Sequence, residues 1–234
     1  MSGTATSARV GGRPRRIEHE DIVRAGRRIG MRELSLNAVA AALGVSSTAL
    51  YRHVDGRWGL ESLVGESLLA DLRLIDDPRH DVARHLLSFG IQLRDFVLSH
   101  PGLAAYLQTL FPRGDAGRAL IAHEVEALGR RGYAPDAAVV LSSSVASVAI
   151  GYAAAEDLQR ERADGLDRAR LSAAAELAAD AELGAAHERL PAVDWDDYVR
   201  LLLSAAIRGL VDVAPPGRAV ADVIAELRSA GEGI

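Results

Sequence analysis

The sequence predicts an all-α protein, with a three-helix head near its N-terminal end and a larger helical body behind it. Three observations predict this. Alanine and leucine, both strong helix formers, are abundant, while aromatics make up only 4% of the 234 residues. Apolar residues recur at helical spacing along the chain, and no run alternates as a half-buried strand would. Residues 36–54 read LNAVAAALGVSSTALYRHV, which is two short helices around a tight turn.

Each element has its own local reason. Residues 1–16 form a basic arm, with Gly11, Gly12 and Pro14 set among Arg9, Arg13, Arg15 and Arg16; that composition predicts disorder. A first helix is expected over 18–30, with Ile22, Val23, Gly26 and Ile29 facing inward. Ser35 caps the next helix and Gly44 stops it. Ser46 caps the short helix after it. Ala40 lets these two helices cross closely and Leu50 plugs the angle between them. Val39, Leu43 and Val45 complete a small core. The second helix of such a motif belongs in the DNA major groove.

After the Asp55-Gly56 turn, Leu60, Leu63, Val64, Ser67, Leu68 and Leu72 keep helical spacing over 58–74. Asp76-Asp77-Pro78 marks a domain boundary. These signals divide the chain into an arm (1–16), a head (17–58), a connecting helix (59–75) and a body (76–230). In the body, helices are expected over 82–99, over a short segment after Pro101, and over 116–131, which ends at Gly132. Pro112 to Gly114 reads as a turn. Another helix starts at Pro135 and Asp136. Residues 137–155 carry no charge, yet their serines and alanines suit a soluble helix buried all round better than a membrane span. Residues 159–193 read as one alanine-rich helix with loose flanks. Asp194 caps a strong helix over 195–213, and Val220, Val223, Ile224 and Leu227 mark a last amphipathic one.

The ordered set Gly30, Leu34, Ser35, Ala40, Gly44, Val45, Leu50, Tyr51, His53, Val54, Arg57 and Leu60 resembles the DNA-binding domain of the tetracycline-repressor (TetR) family, over about residues 17–68. The resemblance implies an N-terminal helix-turn-helix DNA-binding head followed by a helical ligand-binding and dimerisation body. It further implies a connecting helix that joins the two, an effector enclosed by the middle helices, and a homodimer on a palindromic double-stranded DNA operator. Tyr51 and His53 match the family's phosphate- and base-contacting pair. Arg57 stands where the family has a phosphate-binding lysine, and Asn37 matches a position that approaches DNA.

Read from the residues themselves, Ser47, Thr48, Tyr51 and Arg52 fall near one edge of the second helix. An arginine donates twice to guanine, and a threonine methyl touches thymine. Arg13, Arg15 and Arg16 resemble half of an AT-hook without its leading arginine, so the arm is expected to add sequence-independent affinity. Charge supports a nucleic-acid partner despite an overall balance of −5. Residues 1–60 hold ten arginines against five acidic residues, and residues 61–234 hold seventeen against twenty-seven.

Effector-lining candidates are Phe89, Gln92, Phe96, Tyr106, Phe111, His123, Ser143, Ser147 and Trp195. Several aromatics with scattered polar groups predict a mostly apolar ligand, with Gln92 and His123 as the polar contacts. A dimer interface is expected on 137–155 and 195–213, using Val148, Tyr152, Leu202, Leu203 and Ile207.

The chain has no cysteine, which excludes disulfides and thiolate chemistry. No catalytic or phosphate-binding motif occurs and the histidines are scattered, so no enzyme activity, metal or cofactor is expected. With no apolar leader in view, a cytoplasmic location without membrane contact is expected. The function expected is a ligand-responsive transcriptional repressor. The alternatives are an activator or corepressor-dependent regulator, or a helical small-molecule-binding protein or enzyme whose DNA head is vestigial.

Overall fold

The computed structural model describes residues 17–109 and 114–231, and these fold into twelve helices with no strand among them. Arg13, Arg15, Arg16 and Phe111 lie outside the described residues.

The head is α1 (His19–Ile29), α2 (Leu36–Leu43) and α3 (Ser47–Leu50). Ser35 Oγ accepts from the Ala38 amide at 3.1 Å, and Ser46 Oγ accepts from the Ala49 amide at 3.3 Å. Each hydroxyl thereby satisfies a donor that a helix start leaves unpaired. Between the two helices Gly44 takes φ +69°, a left-handed conformation that costs glycine nothing. Ile22, Val39, Ala40 and Leu50 fill the head core, while Val23, Leu43 and Val45 are half-buried around it. The regular part of α3 is shorter than expected, but Val54 N still donates to Leu50 O at 3.0 Å, so residues 51–54 continue its turn.

The connecting helix α4 (Gly56–Leu69) serves both cores. Val64 packs against Gly26 of α1 in the head, Leu69 lines a cavity of the body, and Leu60 and Leu68 are buried along the same helix. It ends five residues before the expected boundary. Residues 70–72 close as a turn, and the Gln92 amide then holds Ile75 by both backbone groups, at 2.8 and 3.0 Å. A sequence pattern carries no sign of this latch.

The body comprises α5 (Val82–Leu98), α6 (Leu103–Thr109), α7 (Asp115–Gly129), α8 (Pro135–Glu161), α9 (Ala163–Ala179), α10 (Ala181–His187), α11 (Trp195–Val213) and α12 (Val220–Gly231). Its centre is the packing of α8 and α11 on α5. Asp180 Oδ1 accepts from the amides of Glu182 and Leu183, which starts α10 and splits the single helix expected over 159–193. Head and body also meet directly. Asp157 of α8 takes an Arg32 guanidinium N–H at 2.5 Å and the Gly102 amide at 2.9 Å. Gly102, at φ +86°, lies so close to the Arg32 backbone that any side chain there would collide with it.

Two expectations about the interface helices need correction. α8 is not buried all round: Val139 and Val140 are exposed, and 39% of its most apolar window is buried. It is the one helix among the described residues long and apolar enough to cross a bilayer, yet Leu141, Val145 and Ala149 are packed among its protein neighbours. Leu203 and Ile207 are 0% and 1% exposed within a single chain. With Val199 they form the inner stripe of α11, and Leu203 sits over Gly90 of α5. They are therefore unavailable to a partner. Val148, Tyr152 and Leu202 are half-buried.

Candidate nucleic-acid interface and effector cavity

Thr48, Tyr51 and Arg52 are all exposed along one edge of the α3 turn, as their spacing of three and four residues dictates. Tyr51 is 60% exposed, unusual for a ring that would otherwise pack. Among the described residues the Arg52 guanidinium has no partner. Ser47 Oγ donates to Asn37 Oδ1 at 2.7 Å, which ties the start of α2 to the start of α3 and fixes both side chains in advance of any contact. His53 is half-buried. Its carbonyl lies 2.9 Å from His19 Nε2, and the two rings meet edge to face at 5.9 Å, so His53 also ties α3 to α1. Arg57 stands exposed in the first turn of α4 and donates from Nε to Glu61 Oε1 at 2.6 Å. Among the described residues that is its one ion pair, which leaves its terminal nitrogens unengaged.

In the body, a cavity of about 580 Å³ opens between the end of α4 and helices α5 to α8. Leu69 and Leu72 contribute from the end of α4 and the turn that follows it. Phe89 and Leu93 come from α5, Leu107, Gln108 and Thr109 from α6, and Gly117, Leu120, Ile121 and Glu124 from α7. Ser142, Ser143, Ala146, Ser147 and Ile150 of α8 complete the wall. Half of its six polar side chains are spent within their own helices. Ser142 and Ser147 donate to the carbonyls of Ala138 and Ser143, each at 2.8 Å, and Thr109 donates to that of Ala105 at 2.8 Å. The wall is largely apolar, with the Gln108 and Ser143 side chains left without a hydrogen bond, a mix usual for a small-molecule site.

Three of the sequence candidates, Phe89, Ser143 and Ser147, line this cavity. The other candidates among the described residues lie elsewhere. Gln92 is the latch on Ile75 and also donates to Ser88 Oγ at 3.0 Å. Phe96 packs against the His100 ring at 4.5 Å. Tyr106 is buried against Gly65 of α4, and burial pushes its phenol pKa up. Trp195 donates from Nε1 to Glu156 Oε2 at 3.0 Å, beside Arg94, which bridges Glu156 and Asp196. His123 is half-buried, and its Nε2 has no partner.

Three features escaped the sequence reading. Glu66 of α4 accepts from the amides of Gly114, Ala116 and Gly117 at 3.1, 3.1 and 3.2 Å, so the connecting helix holds the N-terminus of α7. The second is a buried chain of Glu124, His85 and Asp76. His85 Nε2 lies 3.0 Å from Glu124 Oε2 and its Nδ1 lies 2.9 Å from Asp76 Oδ1. Arg131 and Arg130 donate to Asp76, each at 2.6 Å. These arginines, Arg131 foremost, hold the Asp76 carboxyl well below the usual carboxylate range. The third is the buried Arg94 itself. The signal was present for the second of these: His85 shares the stripe of Val82, Leu86 and Phe89, and Glu124 shares that of Leu120, Ala127 and Leu128. A charged residue on an apolar stripe implies a buried partner.

No protein-family model matches the chain. An HTH-type transcriptional regulator of Saccharopolyspora erythraea is 26% identical over 145 residues, which is 62% of this chain and 61% of that protein. The chain thus matches less than two thirds of the length of its curated relative. The solved structure of apo ActR from Streptomyces coelicolor superposes with a TM-score of 0.70 at 21% identity, covering 87% of this chain and 100% of that one. The TetR family protein ActR in complex with actinorhodin gives 0.71 at 20% identity, with 86% and 99% covered. A putative transcriptional regulator from Streptomyces coelicolor A3(2) gives 0.61 at 25% identity, with 86% and 100% covered.

Proposed function

We propose that this chain, whose fold is that of the tetracycline-repressor family, is a ligand-responsive transcriptional repressor that binds a palindromic operator as a homodimer and is released by a small, mostly apolar effector. The observation that carries the reading is the double duty of α4. The same helix packs its first half into the DNA-reading head, walls the cavity with Leu69, and holds the cavity helix α7 through Glu66. A ligand that separates α7 from α8 therefore acts on the helix that aims the head.

In a dimer the two α3 turns would enter successive major grooves about 34–36 Å apart, one turn of DNA. Thr48 and Arg52 would face base edges, while Tyr51 and Arg57 grip phosphates. An effector favours release only by binding more tightly to a body conformation in which α4 spoils that spacing. ActR bound to actinorhodin supports the idea that this fold holds small molecules in its body. The dimer would form on the outward flanks of α8 and α11, where Val139, Val140, Tyr198 and Leu201 are exposed.

Footprinting of the DNA upstream of the gene tests the reading. A two-fold symmetric protected site is expected, with affinity falling steeply as salt rises, because each phosphate contact releases counterions. Arg52→Ala is expected to cost about 1–3 kcal/mol and to relax preference at one base position. Arg57→Ala should weaken all sequences alike. An asymmetric single half-site, or salt-insensitive binding, would count against the proposal.

A further inference from the structure

The cavity runs along α8. Its lining on that helix extends from Ser142 to Ile150, about 12 Å at a helical rise of about 1.5 Å per residue. A serine inside a helix can satisfy its hydroxyl by donating to the carbonyl one turn back. Ser142, Ser144 and Ser147 all do so, each at 2.8 Å. Ser143 does not. It lines the cavity and is half-buried, and among the described residues its hydroxyl has no partner. Gln108 of α6 is the second free polar side chain in the wall. Its Nε2 stands 4.0 Å from where a Cβ on Gly151 would lie, so its amide sits at the opposite end of the α8 strip, one residue past Ile150. Between the two ends, Ala146 and Ile150 offer only apolar wall.

The wall holds no charge that a ligand can reach. Among the described residues Glu124 is the one ionisable side chain in the lining, and it is 2% exposed, with Oε2 held by His85 at 3.0 Å and Oε1 buried. A charged ligand would lose its hydration against an apolar wall and find no counter-charge in return. A neutral hydroxyl fits both free groups. The Ser143 hydroxyl donates and accepts, and the Gln108 amide does the same through Nε2 and Oε1. The cavity, at about 580 Å³, has room for a molecule that meets both.

We propose that the effector is an uncharged, elongated, largely apolar molecule with a hydroxyl at each end, one bonded to Ser143 and the other to Gln108. The two side chains then read the length of the ligand as well as its polarity, and a molecule polar at one end only binds more weakly. The inference rests on the cavity being the effector site.

Four probes on one rod-shaped frame test it by calorimetry, with the full chain titrated into each: biphenyl, 4-hydroxybiphenyl, 4,4′-dihydroxybiphenyl and biphenyl-4,4′-dicarboxylate. Each hydroxyl is expected to tighten binding about fivefold, the worth of one net hydrogen bond. Ser143→Ala should make the diol bind like the single phenol, and Gln108→Leu should do the same. The double variant should bind all three neutral probes alike. A wild-type step below about twofold for either hydroxyl, or a diol preference surviving in the double variant, would overturn the anchors. So would tighter binding of the dicarboxylate than of the diol. Equal binding of the three neutral probes that is abolished by Ala146→Trp or Ile121→Trp, each of which fills the cavity, would overturn the anchors and leave the effector site standing. Binding by none of the four, or binding that neither filling variant reduces, would overturn both.

Discussion

The Asp76 carboxyl shows how one residue sets a property of the whole. It lies between the connector and α7, takes His85 on one oxygen, and receives Arg131 and Arg130. Those arginines lower its pKa from an ordinary value of 3.8, so the folded state binds its proton less readily than the unfolded chain. Its contribution is therefore complete above about pH 4 and is lost as pH falls through the acid range. The melting temperature is expected to drop steadily between about pH 4 and pH 2. Asp76→Asn should melt lower than the wild type at neutral pH and respond less to acid below pH 4. Equal acid slopes for both proteins would assign the acid response to other carboxylates. The same residue explains why His85 is buried at all: an imidazole with acidic partners on both nitrogens is satisfied where a lone one would not be.

At the scale of elements, the decisive object is the clasp between α4 and α7. A carboxylate at a helix start satisfies unpaired amides and meets the positive end of the helix dipole. Glu66 does this from another helix, with three amides as donors. Glu66→Ala should cost about 1–2 kcal/mol, the loss of a helix cap, and lower the melting temperature by about 2–8 °C for a chain of this size. It should also weaken any release of DNA by a cavity ligand, since α7 no longer pulls on α4, while operator affinity without ligand changes little. A variant as stable as the wild type, with unchanged ligand-driven release, would show that coupling runs through another contact, such as Tyr106 against Gly65.

For the whole molecule, the question is which apolar surface is core and which is interface. α11 makes the distinction within one turn: Leu203 is fully buried while Leu201 is 61% exposed. Leu201→Glu is expected to give a well-folded monomer by sedimentation, with weakened operator binding. Leu203→Glu places a charge in the packed centre of α5, α8 and α11 and should prevent stable folding. Intact dimers from a folded Leu201→Glu variant would move the interface elsewhere, for instance to α9 and α10, which expose Leu171 and Leu183.

Local signals determined the head. Caps at Ser35 and Ser46, a left-handed glycine at 44 and the apolar set around Leu50 act over a few residues, so the helix-turn-helix was legible in the sequence before any packing was considered. The Asp194 cap made the start of α11 legible in the same way. Periodicity marked most of the body helices but not their outward faces. An apolar stripe states that a helix is covered, not by what, and Leu203 and Ile207 were assigned to a partner when their own chain covers them. The cavity was the least legible part. Phe89, Ser143 and Ser147 were found as members of stripes, whereas Gln92 became a latch and Trp195 a partner of Glu156. Glu124 and His85 stand 39 residues apart, and Glu66 reaches amides 48 to 51 residues away. Pairing over such distances is decided by how helices cross, a property of the assembled tertiary structure that no local spacing encodes.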